Sequence, residues 1–101
     1  MTAFVLAQLT VRDRARYDRS AERFLDVLRQ FEGRLLGADE SPEVLEGVWD
    51  HEKAVLIEFR DRAEAARWAE SREYREVAAD REAATVPTVL LLPGLRPWSS
   101  S

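Results

Sequence analysis

Cysteine is absent from this chain, which excludes a disulfide framework and thiolate chemistry. Histidine occurs once, at His51, so a zinc site of nitrogen and sulfur ligands lacks its ligands. A carboxylate-only site for a hard cation stays open. The four glycines, Gly33, Gly37, Gly47 and Gly94, form neither a phosphate loop nor a dinucleotide fingerprint. A Ser-His-Asp triad would have to be built around His51, with no nucleophile-elbow motif to support it. No apolar run approaches the roughly 20 residues that span a bilayer. Met1-Thr2-Ala3-Phe4 offers no basic region ahead of its apolar stretch and no cleavage site, so a secretory leader is not expected. A cytoplasmic location, away from membranes, is the expectation. Lysine is nearly absent as well: of 15 basic residues only Lys53 is one, against 19 acids and a net charge of −4. That balance argues against nucleic acid as the main partner.

What is present suits one globular domain. The 101 residues are 46% hydrophobic and 34% charged, enough for a modest core. Residues 3–11 read as a first strand with Gln8 in mid-run. Asp13 suits an N-cap, and Tyr17, Ala21, Phe24, Leu28 and Phe31 recur at helical spacing, with Leu25 alongside, until Gly33 ends the helix. On that helix Arg14 and Asp18, Arg19 and Glu22, and Arg23 and Asp26 are interleaved, which makes a solvated face rather than a basic groove. A second strand is expected to start at 34–37, break or bulge at 38–42, and continue over 44–49. Asp50-His51-Glu52-Lys53 then turns into a third strand at 54–59. Asp61 and Glu64 have capping-box spacing and open a second helix that carries Ala65, Trp68 and Ala69 inward. Ser71 can cap a short helix bearing Tyr74, Val77, Ala78 and Arg81, and a last strand runs from about Val86 to Leu92. Residues 1–94 form the expected domain, and 95–101 a mobile tail.

The order β-α-β-β-α-β is the split βαβ of a ferredoxin-like α+β domain, with a four-stranded antiparallel sheet and both main helices on one face. Alternation divides the strands. Val5, Ala7, Leu9 and Val11 share one face with Val55, Ile57 and Phe59, whereas Phe4, Leu6, Gln8 and Thr10 share the other with Ala54, Leu56 and Glu58. The purely apolar set suits the helices. The second set is still mostly apolar, and leaving Phe4, Leu6 and Leu56 in water forfeits roughly 1.5–3 kcal/mol each.

Leu45-Glu46-Gly47-Val48-Trp49, then Val55-Leu56-Ile57-Glu58-Phe59, then Glu64-Ala65-Ala66-Arg67-Trp68 and Ser71-Arg72-Glu73-Tyr74 follow in order. Together with Ala7 to Val11 and Asp13 to Tyr17 they resemble the bacterial domain-of-unknown-function family 1330, of the dimeric α/β-barrel superfamily, over about residues 3–92. The resemblance implies a sheet-to-sheet homodimeric barrel with a pocket between sheet and helices or inside the barrel. Superfamily relatives include cofactor-free monooxygenases of polyketide quinols and muconolactone isomerases. The family's recurring polar and aromatic positions map to Glu46, Trp49, Glu58, Trp68, Ser71, Tyr74 and Arg81. Two departures stand out: Arg60 replaces a proline common after the Glu-Phe pair, and the tail bearing Trp98 runs past the usual end.

Glu58 admits two readings. In one it is paired with Arg81, Arg34 or Gln8, and removing one partner of a buried pair typically costs about 3–5 kcal/mol. In the other it is a desolvated carboxylate that moves a proton on a bound ligand. Arg81 would then clamp an anionic or phenolate group, with Gln8, Trp49 and Tyr74 contacting the substrate. Trp49, Trp68 and Tyr74 are more often core than pocket lining, and His51 is expected as a solvated turn residue. The expected protein is a homodimer that binds an apolar cyclic or phenolic small molecule, and transforms it if Glu58 is catalytic, without metal or cofactor. The rival is a non-catalytic dimer in which Glu58 serves an ion pair. Light scattering at micromolar concentration checks the assembly: a dimeric mass is expected, and a monomeric one overturns it.

Overall fold

Alternation and capping produce seven elements in the computed structural model, which describes residues 1–99. They are β1 (Ala3–Val11), α1 (Arg14–Gln30), β2 (Arg34–Asp39), β3 (Lys53–Phe59), α2 (Arg62–Glu70), α3 (Arg72–Ala84) and β4 (Thr85–Pro93). Each helix begins on a side-chain oxygen that accepts a backbone N–H: Asp13 from Arg16, Asp61 from Glu64, and Ser71 from Tyr74. Ser71 both ends α2 and caps α3, so the second helical segment turns a corner at one residue.

The strands form one antiparallel sheet in the order β2-β3-β1-β4. This is the expected α+β ferredoxin-like arrangement. Register carries the alternation across the sheet. Val5 lies opposite Ile57 and Leu91, and Ala7 opposite Val55 and Val89. On the other face Phe4 meets Glu58 and Leu92, and Leu6 meets Leu56 and Leu90. The helices cover the first set. Ala3, Val5, Ala7, Val55, Ile57 and Phe59 are buried there with Val27, Leu28, Ala65, Trp68 and Val77. Trp68 anchors the layer, its ring 4.0 Å from Tyr74, 5.1 Å from Phe59 and 6.4 Å from Phe24, centroid to centroid. Arg16 and Arg23 of α1 both reach Asp80 of α3. The Arg16 hydrogen bond is the chief cause that holds the Asp80 carboxyl below its ordinary range. That contribution is present above the ordinary carboxylate pKa and is lost as pH falls through the lowered one. Among the described residues no helix is long and apolar enough to cross a membrane.

Four local expectations are corrected. Glu32, not Gly33, takes the left-handed conformation after α1, at φ 56°. Gly33 is required for another reason: a Cβ there would sit 2.2 Å from Leu28 Cδ1 and 3.0 Å from Phe59. β2 runs unbroken to Asp39 with a bulge between Leu35 and Gly37, whereas 44–49 form no strand, and Val48 is 94% exposed. Without a ladder partner that apolar stretch becomes part of the long connection to β3. Ala69 is exposed, because α2 buries only Ala65 and Trp68.

The expected tail is described as far as Ser99, and Ser100 and Ser101 lie outside the described residues. Gly94 donates its N–H to Thr2 O at 2.8 Å, and Thr2 donates to Arg96 O from both its backbone N–H and its hydroxyl. The Trp98 ring lies under the Arg34 guanidinium at 3.5 Å, and Arg34 also donates to Ser99 O.

Gly33→Ala is expected to destabilise the protein by about 1–3 kcal/mol through overpacking against Leu28 and Phe59. A urea midpoint lowered at constant slope would register it, and an unchanged midpoint would refute it.

Candidate functional site

Small side chains beneath the helices leave space above the sheet. A cavity of about 160 Å³ lies there, similar in size to the roughly 150 Å³ apolar cavity that admits benzene. Its floor includes Val5, Ala7 and Leu9 of β1, Lys53, Val55 and Ile57 of β3, and Val89 of β4. Its roof includes Tyr17, Ala21 and Phe24 of α1, Trp68 of α2, and Tyr74, Ala78 and Arg81 of α3. Leu25 and Leu35 also line it and are partly exposed, which marks where it approaches solvent.

The polar groups of this lining are mostly donors. The Arg81 side chain is 14% exposed, and its Nε is buried without a hydrogen-bond partner. Its nearest acid is Glu82 on the exposed side of α3, at 3.9 Å. The guanidinium carbon lies 5.9 Å from the Tyr74 ring centroid. Lys53, 16% exposed, puts Nζ 4.8 Å from the Tyr17 ring centroid and 3.9 Å from Glu40. Glu40 is itself engaged by Arg14. Trp68 Nε1 is the second buried donor without a partner, whereas the Ser20 hydroxyl is satisfied by Tyr17 O at 2.7 Å. Among the described residues the lining contains no carboxylate and no imidazole.

Glu58, Gln8 and Trp49 lie apart from this cavity. Strand parity puts Glu58 on the opposite, open face of the sheet, beside Phe4 and Arg34. Of the partners expected for Glu58 from sequence, Arg81 therefore lies on the other side of the sheet, and Arg34 is the one it meets. Glu58, 18% exposed, pairs instead with Arg34 at 3.8 Å, and Arg34 is stacked on Trp98. A proton carrier acting beside Arg81 does not fit this placement. Gln8 accepts a 2.6 Å hydrogen bond from Trp49 Nε1. Beside them His51 is half-buried rather than a solvated turn residue. Its Nδ1 lies 3.2 Å from the Thr10 hydroxyl and its Nε2 3.2 Å from that of Thr88. Hydroxyls donate or accept, so either ring tautomer satisfies this bridge. These contacts fasten the long β2–β3 connection to the open face, assisted by Glu52 N–H to Leu9 O at 2.8 Å.

Of the sequence-derived candidates, the cavity thus gathers Arg81 and Tyr74, and the open face receives Glu58, Gln8 and Trp49. Lys53 and Tyr17 were missed as site residues. Lys53 had a readable signal: residue 53 shares the parity of Val55 and Ile57, so extending the strand by one residue puts it on the helix side.

The model of a family described as Domain of unknown function (DUF1330) matches residues 2–95. No curated protein matches the chain. Among solved structures, a protein of unknown function from Rhodopseudomonas palustris is 16% identical with TM-score 0.78, covering 95% of this chain and 84% of its own. A dimeric ferredoxin-like protein of unknown function from Jannaschia sp. is 13% identical with TM-score 0.75, covering 93% and 100%. SnoaB, a cofactor-independent oxygenase from Streptomyces nogalater, is 13% identical with TM-score 0.66, covering 94% of each chain. At such identities the likeness is one of fold.

The Arg34–Glu58 pair is long, and Arg34 is about one-third exposed, so Glu58→Gln, which keeps the side chain's shape, is expected to lower stability by at most about 1 kcal/mol. A loss of several kcal/mol in urea titration would contradict that.

Proposed function

The chain belongs to the DUF1330 family, and from that premise we propose that it is a homodimeric small-molecule-binding protein. Its ligand is an apolar cyclic or phenolic compound held between the helices and the sheet. The observation that carries this reading is the 160 Å³ cavity, mostly apolar in its lining, with Lys53 on its floor and Arg81 and Trp68 on its roof. Few precisely placed polar groups in an apolar hollow are what a small-molecule site requires. The dimer is supported by the open face, where Leu90 and Leu92 remain 47% and 41% exposed, and by a neighbour described as a dimeric ferredoxin-like protein.

Binding is favoured over catalysis by the lining itself. Proton transfer usually relies on a positioned carboxylate or imidazole, and neither occurs among the described lining residues. The likeness to a cofactor-independent oxygenase supports the catalytic alternative. In that case Tyr17, Tyr74 or Lys53 would have to handle the proton, without metal or cofactor.

Native mass spectrometry of freshly purified protein tests both halves together. A dimer carrying a retained small molecule is expected, and a bare monomer removes the assembly and leaves the cavity unsupported. Added phenol should shift backbone amides around the cavity in heteronuclear NMR. Ala21→Phe, placed on the α1 side of the lining, should weaken that response by at least about tenfold while the fold persists. Equal responses in the two proteins would sink the cavity as the binding site.

A further inference from the structure

We infer that the cavity takes a monoanionic ligand, a small cyclic or aromatic carboxylate or enolate, whose charged group lies between Arg81 and Lys53. This rests on the reading of the cavity as a ligand site and replaces its apolar or phenolic ring with one that carries a single negative charge. The charge balance of the walls carries it. Two cations line the cavity, both about six-sevenths buried, and no lining residue among those described is an acid.

Neither cation is well neutralised from within the fold. The acids near them, Glu82 at 3.9 Å and Glu40 at 3.9 Å, are themselves more than half exposed. Glu40 is also shared with Arg14. Arg81 Nε is buried and unpaired, and an orphaned donor on a charged group carries an appreciable desolvation cost. An incoming carboxylate would give the guanidinium a charge-assisted hydrogen bond, stronger than a neutral one. A neutral ligand of the same shape would leave the positive charge uncompensated. Apart from these cations the floor is aliphatic, which suits a ring rather than a second charge.

Benzoate and benzamide separate the possibilities, since they are nearly isosteric and differ in charge. Both are titrated into the dimer or monomer as purified, with binding read from cavity amides by heteronuclear NMR. Benzoate is expected to bind at least about tenfold more tightly than benzamide. Arg81→Met should bring benzoate down to the benzamide level and leave benzamide within about twofold of its original affinity. Arg81→Lys should retain part of the preference, and Lys53→Met should remove part of it, so the outcome does not hang on one variant folding. Equal affinity for the two probes, or a benzoate preference that survives both Met variants, overturns the anionic ligand while the cavity reading stands. Failure of both probes to perturb the cavity amides overturns the cavity reading as well.

Discussion

The antiparallel ladder between β1 and β3 decides which side chains meet the helices. With Val5 opposite Ile57 and Ala7 opposite Val55, the core forms under Trp68, and Phe4, Leu56 and Glu58 turn to the far side. A slip of β3 by one residue would turn that strand over. It would bring Glu58 beneath the helices and expel Ile57 and Phe59, which are almost wholly buried. Register is therefore held by the cost of that exchange. The cavity and the open face are both consequences of it.

The cavity follows from where bulk and smallness fall along the same elements. Trp68, Tyr74, Phe59 and Phe24 fill the space near the start of α3 with mutually tilted rings. Ala7, Ala21, Ala38 and Ala78 line the remainder, and alanines leave a helix and a sheet apart where larger residues would close the gap. Such an unfilled volume loses dispersion contacts, so this part of the core is less well packed than the aromatic end. The cavity therefore occupies the less fully packed end of the core.

Much of the fold was legible in the sequence because it is written locally. Asp13, Asp61 and Ser71 cap the helices they were expected to cap, and the two strand faces separate as alternation requires. The family motif pointed to the same architecture. Relations across the sheet were not legible in the same way. Whether Glu58 meets Arg81 or Arg34 depends on which side of the sheet α3 covers and on the register of an edge strand that carries a bulge. Neither is encoded within a short window. Leu45 to Trp49 alternates well enough to suggest a strand, yet without a partner ladder the segment stays irregular, and Trp49 and His51 are anchored by Gln8, Thr10 and Thr88 instead. Arg81 and Tyr74 were correctly assigned to a common helix face, since helical spacing is local. Lys53 was missed by a boundary error of one residue.

The sheet order leaves β4 on an edge, and its sequence bears on solubility. Val89 to Leu92 is the most leucine-rich stretch of the chain, and an exposed apolar edge invites a passing strand to add to it. Leu9 uses its carbonyl toward the β3 side, so Pro87, opposite Leu9, directs its nitrogen away from β1, and Pro93 shares that parity. Proline has no N–H to offer. Only Val89 and Leu91 remain between them as outward donors, too few to template a long cross-β ladder. The sheet is open across its face and closed along this rim.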